Sequence, residues 1–194
     1  MKIKIITFII LAITNSFCQA QQSNPYQIEK LGWVINLPND FTNMNLEKKP
    51  VQIVEANNKQ EIKKINPVTE KAEETRFQGR NHTNFLTFYK KDTSKTNLFK
   101  ESEIKKQNND LIESLKVTQP EARFNSKITV EKIDGVTFYK TVLEKDLGNN
   151  VSHNFIIYRT LINGYEASFT IFYIYPTPEL DKLVKAFENS KFKK

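Results

Sequence analysis

Apolar and polar residues alternate most regularly in the C-terminal half of the chain. Ile128 and Val130 alternate with polar neighbours, and Asp134-Gly135 separates residues 126–133 from residues 136–145. Asp-Gly between two alternating runs is a hairpin signal, because both central residues of the favoured turn need positive φ. Gly148-Asn149-Asn150 marks the next turn, before an apolar-rich run over 151–162. Asn163-Gly164 is a second hairpin signal, and Tyr165, Ala167, Phe169, Ile171, Tyr173 and Tyr175 alternate strictly after it. These runs predict a four-strand antiparallel meander whose apolar face needs a cover. Leu180, Leu183, Val184 and Phe187 recur at i, i+3, i+4 and i+7, the stripe of a helix that lies on a sheet. Thr177 is placed as its N-cap and Pro178 as its first residue, where a missing N–H costs nothing.

The N-terminal half is less regular. Trp33, Ile35 and Leu37 alternate between Gly32 and Pro38, which predicts a strand closed by a turn, with order beginning at Tyr26 and residues 21–25 loose. Val51, Val54, Ile62 and Ile65 fit one helix face, interrupted by Asn57-Asn58 and ended before Pro67. Residues 67–82 are polar and charged and read as a long exposed loop. Residues 85–89 read as a strand. Ile104, Asn108, Leu111, Ile112 and Leu115 predict a helix over 103–116 with Ser102 as N-cap. The expected class is α+β: an antiparallel sheet, made of the meander and N-terminal strands, covered by helices as an α/β/α sandwich. No repeat or low-complexity linker divides residues 21–194.

Residues 1–20 have a separate pattern. Lys2 and Lys4 precede an apolar run over 5–13, then polar residues and the small residues Cys18 and Ala20. This is the order of a secretory signal peptide cleaved between Ala20 and Gln21. The run is far short of the roughly 20 residues that cross a bilayer. A second reading makes Cys18 the lipid-bearing first residue of a lipoprotein, and only then is the protein held at a membrane. Bulky Phe17 before Cys18 argues against it. Cleavage after Ala20 leaves 174 of the 194 residues, no cysteine, and therefore no disulfide and no thiol nucleophile. The expected location is the periplasm or the exterior of the cell.

Losing Lys2 and Lys4 lowers the formal charge from +7 to +5. The lysines come in scattered pairs, such as Lys63-Lys64 and Lys105-Lys106, among acidic residues. A nucleic-acid surface concentrates charge on one element with aromatics between, so no nucleic-acid partner is expected. Weak contact with anionic surfaces remains compatible with the charge.

Little in the chain points to catalysis. His82 and His153 have no Asp, Glu or His at metal-ligand spacing, so no metal or other cofactor is expected. No Gly-x-Ser-x-Gly and no phosphate-cradling glycine loop occurs. Glu70, Glu73 and Glu74 lie beside Lys71 and Arg76, where solvated charge explains them better than an acid/base pair. Asn81-His82-Thr83 and Asn150-Val151-Ser152 match the N-glycosylation acceptor. Tyr158, Tyr165, Tyr173 and Tyr175 either line a ligand cleft or fill the core with hydroxyls at its edge.

Three stretches carry a family resemblance. They are Gly32-Trp33-Val34-Ile35-Asn36-Leu37-Pro38, the meander from Asp134-Gly135-Val136 through Tyr158 to Gly164-Tyr165, and Ala186-Phe187-Glu188-Asn189-Ser190-Lys191-Phe192. Together they resemble the opening strand, meander and closing helix of the PsbP-like family, especially its small exported bacterial members. The resemblance implies an antiparallel sheet with helices on both sides, used to bind proteins rather than for catalysis. No ligand residue of the family maps onto this chain. The function expected is an exported, non-enzymatic binding or assembly module with an unidentified protein partner. The alternatives are a small-ligand carrier with a tyrosine-lined cleft and a hydrolase of unrecognised type.

Overall fold

The computed structural model describes residues 24–44, 72–93, 100–148 and 150–193. Strands β1 (Asn24–Ile28) and β2 (Trp33–Leu37) pair antiparallel around a 3-10 turn at Glu29–Leu31. Gly32 ends that turn with φ of +63°, a left-handed conformation that glycine adopts at least cost. A Cβ there would lie 2.1 Å from the Lys193 carbonyl oxygen. That close approach lets β10 (Lys191–Phe192) pair with β2 and complete a three-stranded sheet.

Among the described residues, the larger sheet has seven antiparallel strands in the order β3-β4-β5-β9-β8-β7-β6. They are β3 (Thr42–Asn43), β4 (Glu73–Gln78), β5 (Asn84–Lys91), β6 (Arg123–Ile133), β7 (Val136–Asp146), β8 (Ser152–Ile162) and β9 (Tyr165–Tyr173). The last four form the predicted meander. Asp134 and Gly135 have φ of +50° and +80°, and Asn163 and Gly164 +51° and +77°, as the two hairpin turns demand.

Among the described residues, two helices accompany the sheets: α1 (Glu101–Thr118) and α2 (Pro178–Glu188). Thr177 caps α2 as expected, its Oγ1 accepting the Leu180 amide at 3.2 Å. Leu180, Leu183 and Phe187 of α2 are buried. The small sheet and α2 share one face of the large sheet. Trp33 of β2 meets Phe169 of β9 at 4.7 Å between ring centroids, and Phe187 of α2 meets Tyr158 of β8 at 4.4 Å. Phe138 on β7 joins this cluster, contacting Phe169, Phe187 and Phe192. Leu143, five residues further along β7, points to the opposite face because strand side chains alternate. On that face lie α1, its buried Ile104 and Asn108, and the Asn108–Ser126 hydrogen bond of 3.1 Å. Helical cover on both faces of an antiparallel sheet is the architecture expected from the sequence.

Several details differ from the expectation. Residues 73–78, expected in a loop, form β4 and pair residue for residue with β5. Only Phe77 among them is buried, so the strand lacks the alternation that would announce it. Asn24 and Pro25 belong to β1 rather than to a loose terminus. The cap of α1 is Lys100, not Ser102. There the Glu103 carboxylate accepts the Lys100 amide at 3.3 Å, the reciprocal half of a capping box. Strand β9 ends at Tyr173, two residues before the alternation does. The broken helix expected over residues 51–65, Glu70, and the cleavage pair Ala20 and Gln21 with Cys18 lie outside the described residues.

Candidate functional site

The residues that converge on a recess lie on the α1 face. Register places Phe88 of β5 beside Ser168 of β9, and Ser168 beside Arg159 of β8. One row across three strands thus reads large, small, large. Ser168 is too small to fill the space between the phenyl ring and the guanidinium side chain. The next row sets Lys90 opposite Glu166. Gln107 from α1 forms the roof, and Ala167 completes the lining of a cavity of about 270 Å³.

The electrostatics of the recess are uneven. Lys90 Nζ lies 2.9 Å from Glu166, so these two charges offset each other. Arg159 is half-buried, and its one side-chain hydrogen bond among the described residues runs from Nη1 to Thr141 Oγ1 at 3.4 Å. No carboxylate among the described residues pairs with it. Burial lowers its pKa from the ordinary value, and no nearby acid acts in the other direction. It remains a cation at neutral pH, because a guanidinium is not deprotonated in proteins. Phe88 is 41% exposed and gives the recess an apolar wall. A planar cation with free donors beside an apolar wall can hold an anion by paired hydrogen bonds.

The tyrosines do not line this recess or a common cleft. Tyr158 is fully buried in the aromatic core on the other face. Burial, partly offset by Lys140, pushes its hydroxyl up to about 12. Tyr165 and Tyr173 pack half-buried against the same core, and Tyr175 is 56% exposed beyond the end of β9. Three of the four therefore act as core residues. Of the two readings the sequence allowed, cleft or core, the core one holds for these three, and the alternation of β9 directs Tyr165 and Tyr173 with Phe169 toward α2.

The remaining candidates are separate from one another. Glu73 pairs with Lys30 and accepts the Tyr89 hydroxyl. Burial first, and this contact second, push the Tyr89 pKa upward. Glu74 pairs with Arg76 at 3.3 Å on the exposed side of β4. His153 sits edge-on to Phe172 at 5.4 Å, its pKa lowered by burial and then by Lys145. His82 is exposed in the turn before β5. Asn81 and Asn150, the two acceptor asparagines, adopt positive φ in exposed turns. No three His, Cys, Asp or Glu side chains gather as a metal set among the described residues.

Sequence reasoning did not single out Arg159, Phe88, Lys90, Gln107 or Ser168. One signal was present. Arg159 stands inside Phe155-Ile156-Ile157-Tyr158-Arg159-Thr160-Leu161-Ile162, a cation in an otherwise apolar strand. Charged residues seldom sit in such a run without a partner or a role.

The architecture is a PsbP-like fold. Among solved structures it is similar to the solution structure of cyanobacterial PsbP (CyanoP) from Synechocystis, with a TM-score of 0.54. The match is 9% identical and covers 91% of this chain and 96% of that one. A crystal structure from Bacteroides thetaiotaomicron is similar at 9% identity and a TM-score of 0.46, covering 89% of this chain and 49% of that one. No family model and no curated protein matches the sequence.

Proposed function

We propose that this protein is an exported, non-catalytic binding or assembly module of the cell envelope. The recess around Arg159 carries the reading. It presents a half-buried cation that no described carboxylate neutralises, and its lining includes no histidine to serve as a base. Burying a charge without a partner costs stability, so a fold that keeps one gains from it elsewhere. The signal-like pattern of residues 1–20 supports export, and the PsbP-like resemblance supports a binding role over a catalytic one.

Envelope fractions crosslinked in the living cell and captured through this chain test the reading. A reproducible partner, lost when Arg159 is replaced by Gln, is the expected result. Recovery of nothing above an unrelated exported control would overturn it. Intact mass of the captured chain tests export: the expected mature protein begins at Gln21, and a diacylglyceryl mass on Cys18 would replace a free protein with a tethered one.

A further inference from the structure

We propose that the recess binds a small monocarboxylate with an apolar body, its carboxylate on Arg159 and its apolar part against Phe88. The inference deepens the binding reading by naming the ligand class for the same site.

Charge selects the head group. Lys90 and Glu166 lie 2.9 Å apart and cancel, which leaves the single positive charge of Arg159 for the ligand. A monoanion matches that balance, whereas a doubly charged phosphate monoester would bring one negative charge that no cation of the recess offsets. A guanidinium has five donors, and the described contacts of Arg159 use one of them, toward Thr141. Its remaining donors fit the two oxygens of a carboxylate in a planar, paired arrangement. Ser168, in register beside Arg159, and Gln107 overhead add neutral hydrogen-bonding groups at the same level.

Size and polarity select the body. The cavity of about 270 Å³ falls just below the roughly 300–1,000 Å³ of pockets that enclose drug-sized ligands. A short chain or a single ring fits. Phe88 is 41% exposed although it stands on an interior strand of the seven, so an apolar ligand segment would cover a surface the fold leaves open.

The probe is hexanoate, titrated into the purified protein and read by backbone amide shifts and calorimetry. Hexan-1-ol, of the same length without the charge, is the control. The expected result is saturable shifts centred on Phe88, Gln107, Arg159 and Ser168, with the alcohol at least about tenfold weaker. Arg159→Gln should weaken hexanoate by about tenfold or more, the scale of a lost charged hydrogen bond. Phe88→Glu provides a second variant at an exposed position, where folding is not at stake, and its carboxylate should repel the ligand. Equal affinity for acid and alcohol overturns the proposal. So does hexanoate binding that both variants leave unchanged, a shift pattern away from the recess, or no saturable shift up to the solubility of the acid. An apolar tripeptide with a free C-terminus, compared with its amide, separates a small ligand from a partner's chain end. A tenfold preference for the tripeptide acid over hexanoate overturns the small-molecule assignment. The titrations read a small acid and the capture reads a macromolecular partner, so a recess that ignores carboxylates does not by itself remove the binding role.

Discussion

On the face that carries α2, the seven-stranded sheet meets Trp33, Phe85, Phe138, Tyr158, Phe169 and Phe187, all fully buried and in ring contact with one another. On the face that carries α1, the buried apolar side chains among the described residues reduce to Ile104, Leu143 and Ile157, accompanied by the buried polar residues Asn108, Thr141 and Lys145. The same strands build both faces, and β7 supplies Phe138 to one and Leu143 to the other. The first face is a packed core. The second is thin, polar in places and open at the Arg159 recess. On the proposed reading, stability and binding are divided between the two sides of one sheet, and a ligand in the recess would leave the aromatic core undisturbed.

The division is broken or upheld most sharply by core truncation. Phe187→Ala removes a ring that touches Trp33, Phe85, Phe138, Tyr158 and Phe169. It should cost about 3–5 kcal/mol of unfolding free energy, the range for emptying a packed aromatic site. Leu143→Ala on the other face should cost about 2 kcal/mol, the low end for such a truncation, because a thinly covered site can collapse around the loss. Urea denaturation of both variants measures the difference. Equal costs would mean that the two faces are packed alike and that the recess is not a softer region.

Arg159→Met asks what the recess contributes to folding. Replacing a half-buried charge that lacks a carboxylate partner by an apolar side chain is often neutral or stabilising. The expected change is between zero and about +1 kcal/mol, in the direction opposite to that of Phe187→Ala. The lost Thr141 contact is long, at 3.4 Å, and subtracts little. A loss of stability comparable to that of Leu143→Ala would make Arg159 a structural residue and remove the division of labour.

The two faces also differ in how far the sequence discloses them. The meander and α2 are legible because every signal agrees: two turns that need positive φ, strict alternation between them, a capping Thr177 and a four-point apolar stripe. All of these are local. Strand β4 is not legible, since it buries one residue and lies next to the short edge strand β3, where neither periodicity nor burial marks it. The recess is less legible still. Phe88, Ser168 and Arg159 become neighbours only through the β5-β9-β8 order, and sequence spacing alone does not specify that order. The tyrosines show the converse. Their composition allowed either a cleft or a core, and the period of two that identified the strand turns Tyr165 and Tyr173 inward.

The smallest expected effect uses pH to compare the faces. Tyr158, on the thick face, has its hydroxyl pushed up to about 12 and is inert near neutrality. His153, on the thin face, stands opposite Lys145 in register and edge-on to Phe172. Burial first, and Lys145 second, lower its pKa below the ordinary 6.5. The folded protein therefore takes up this proton less readily than the unfolded chain. As pH falls through 6.5 the unfolded state gains the proton first, and stability declines until the folded-state pKa has also been passed. His153→Gln should flatten that part of the stability profile while leaving the more acidic carboxylate region unchanged. Lys145→Met should narrow the window from the other side, by removing the charge that opposes protonation. Chemical denaturation of the three proteins across the range from neutral to mildly acid pH measures both effects. If His153→Gln retained the full decline, the pH sensitivity would belong to other groups, and the thin face would be no more responsive than the aromatic core.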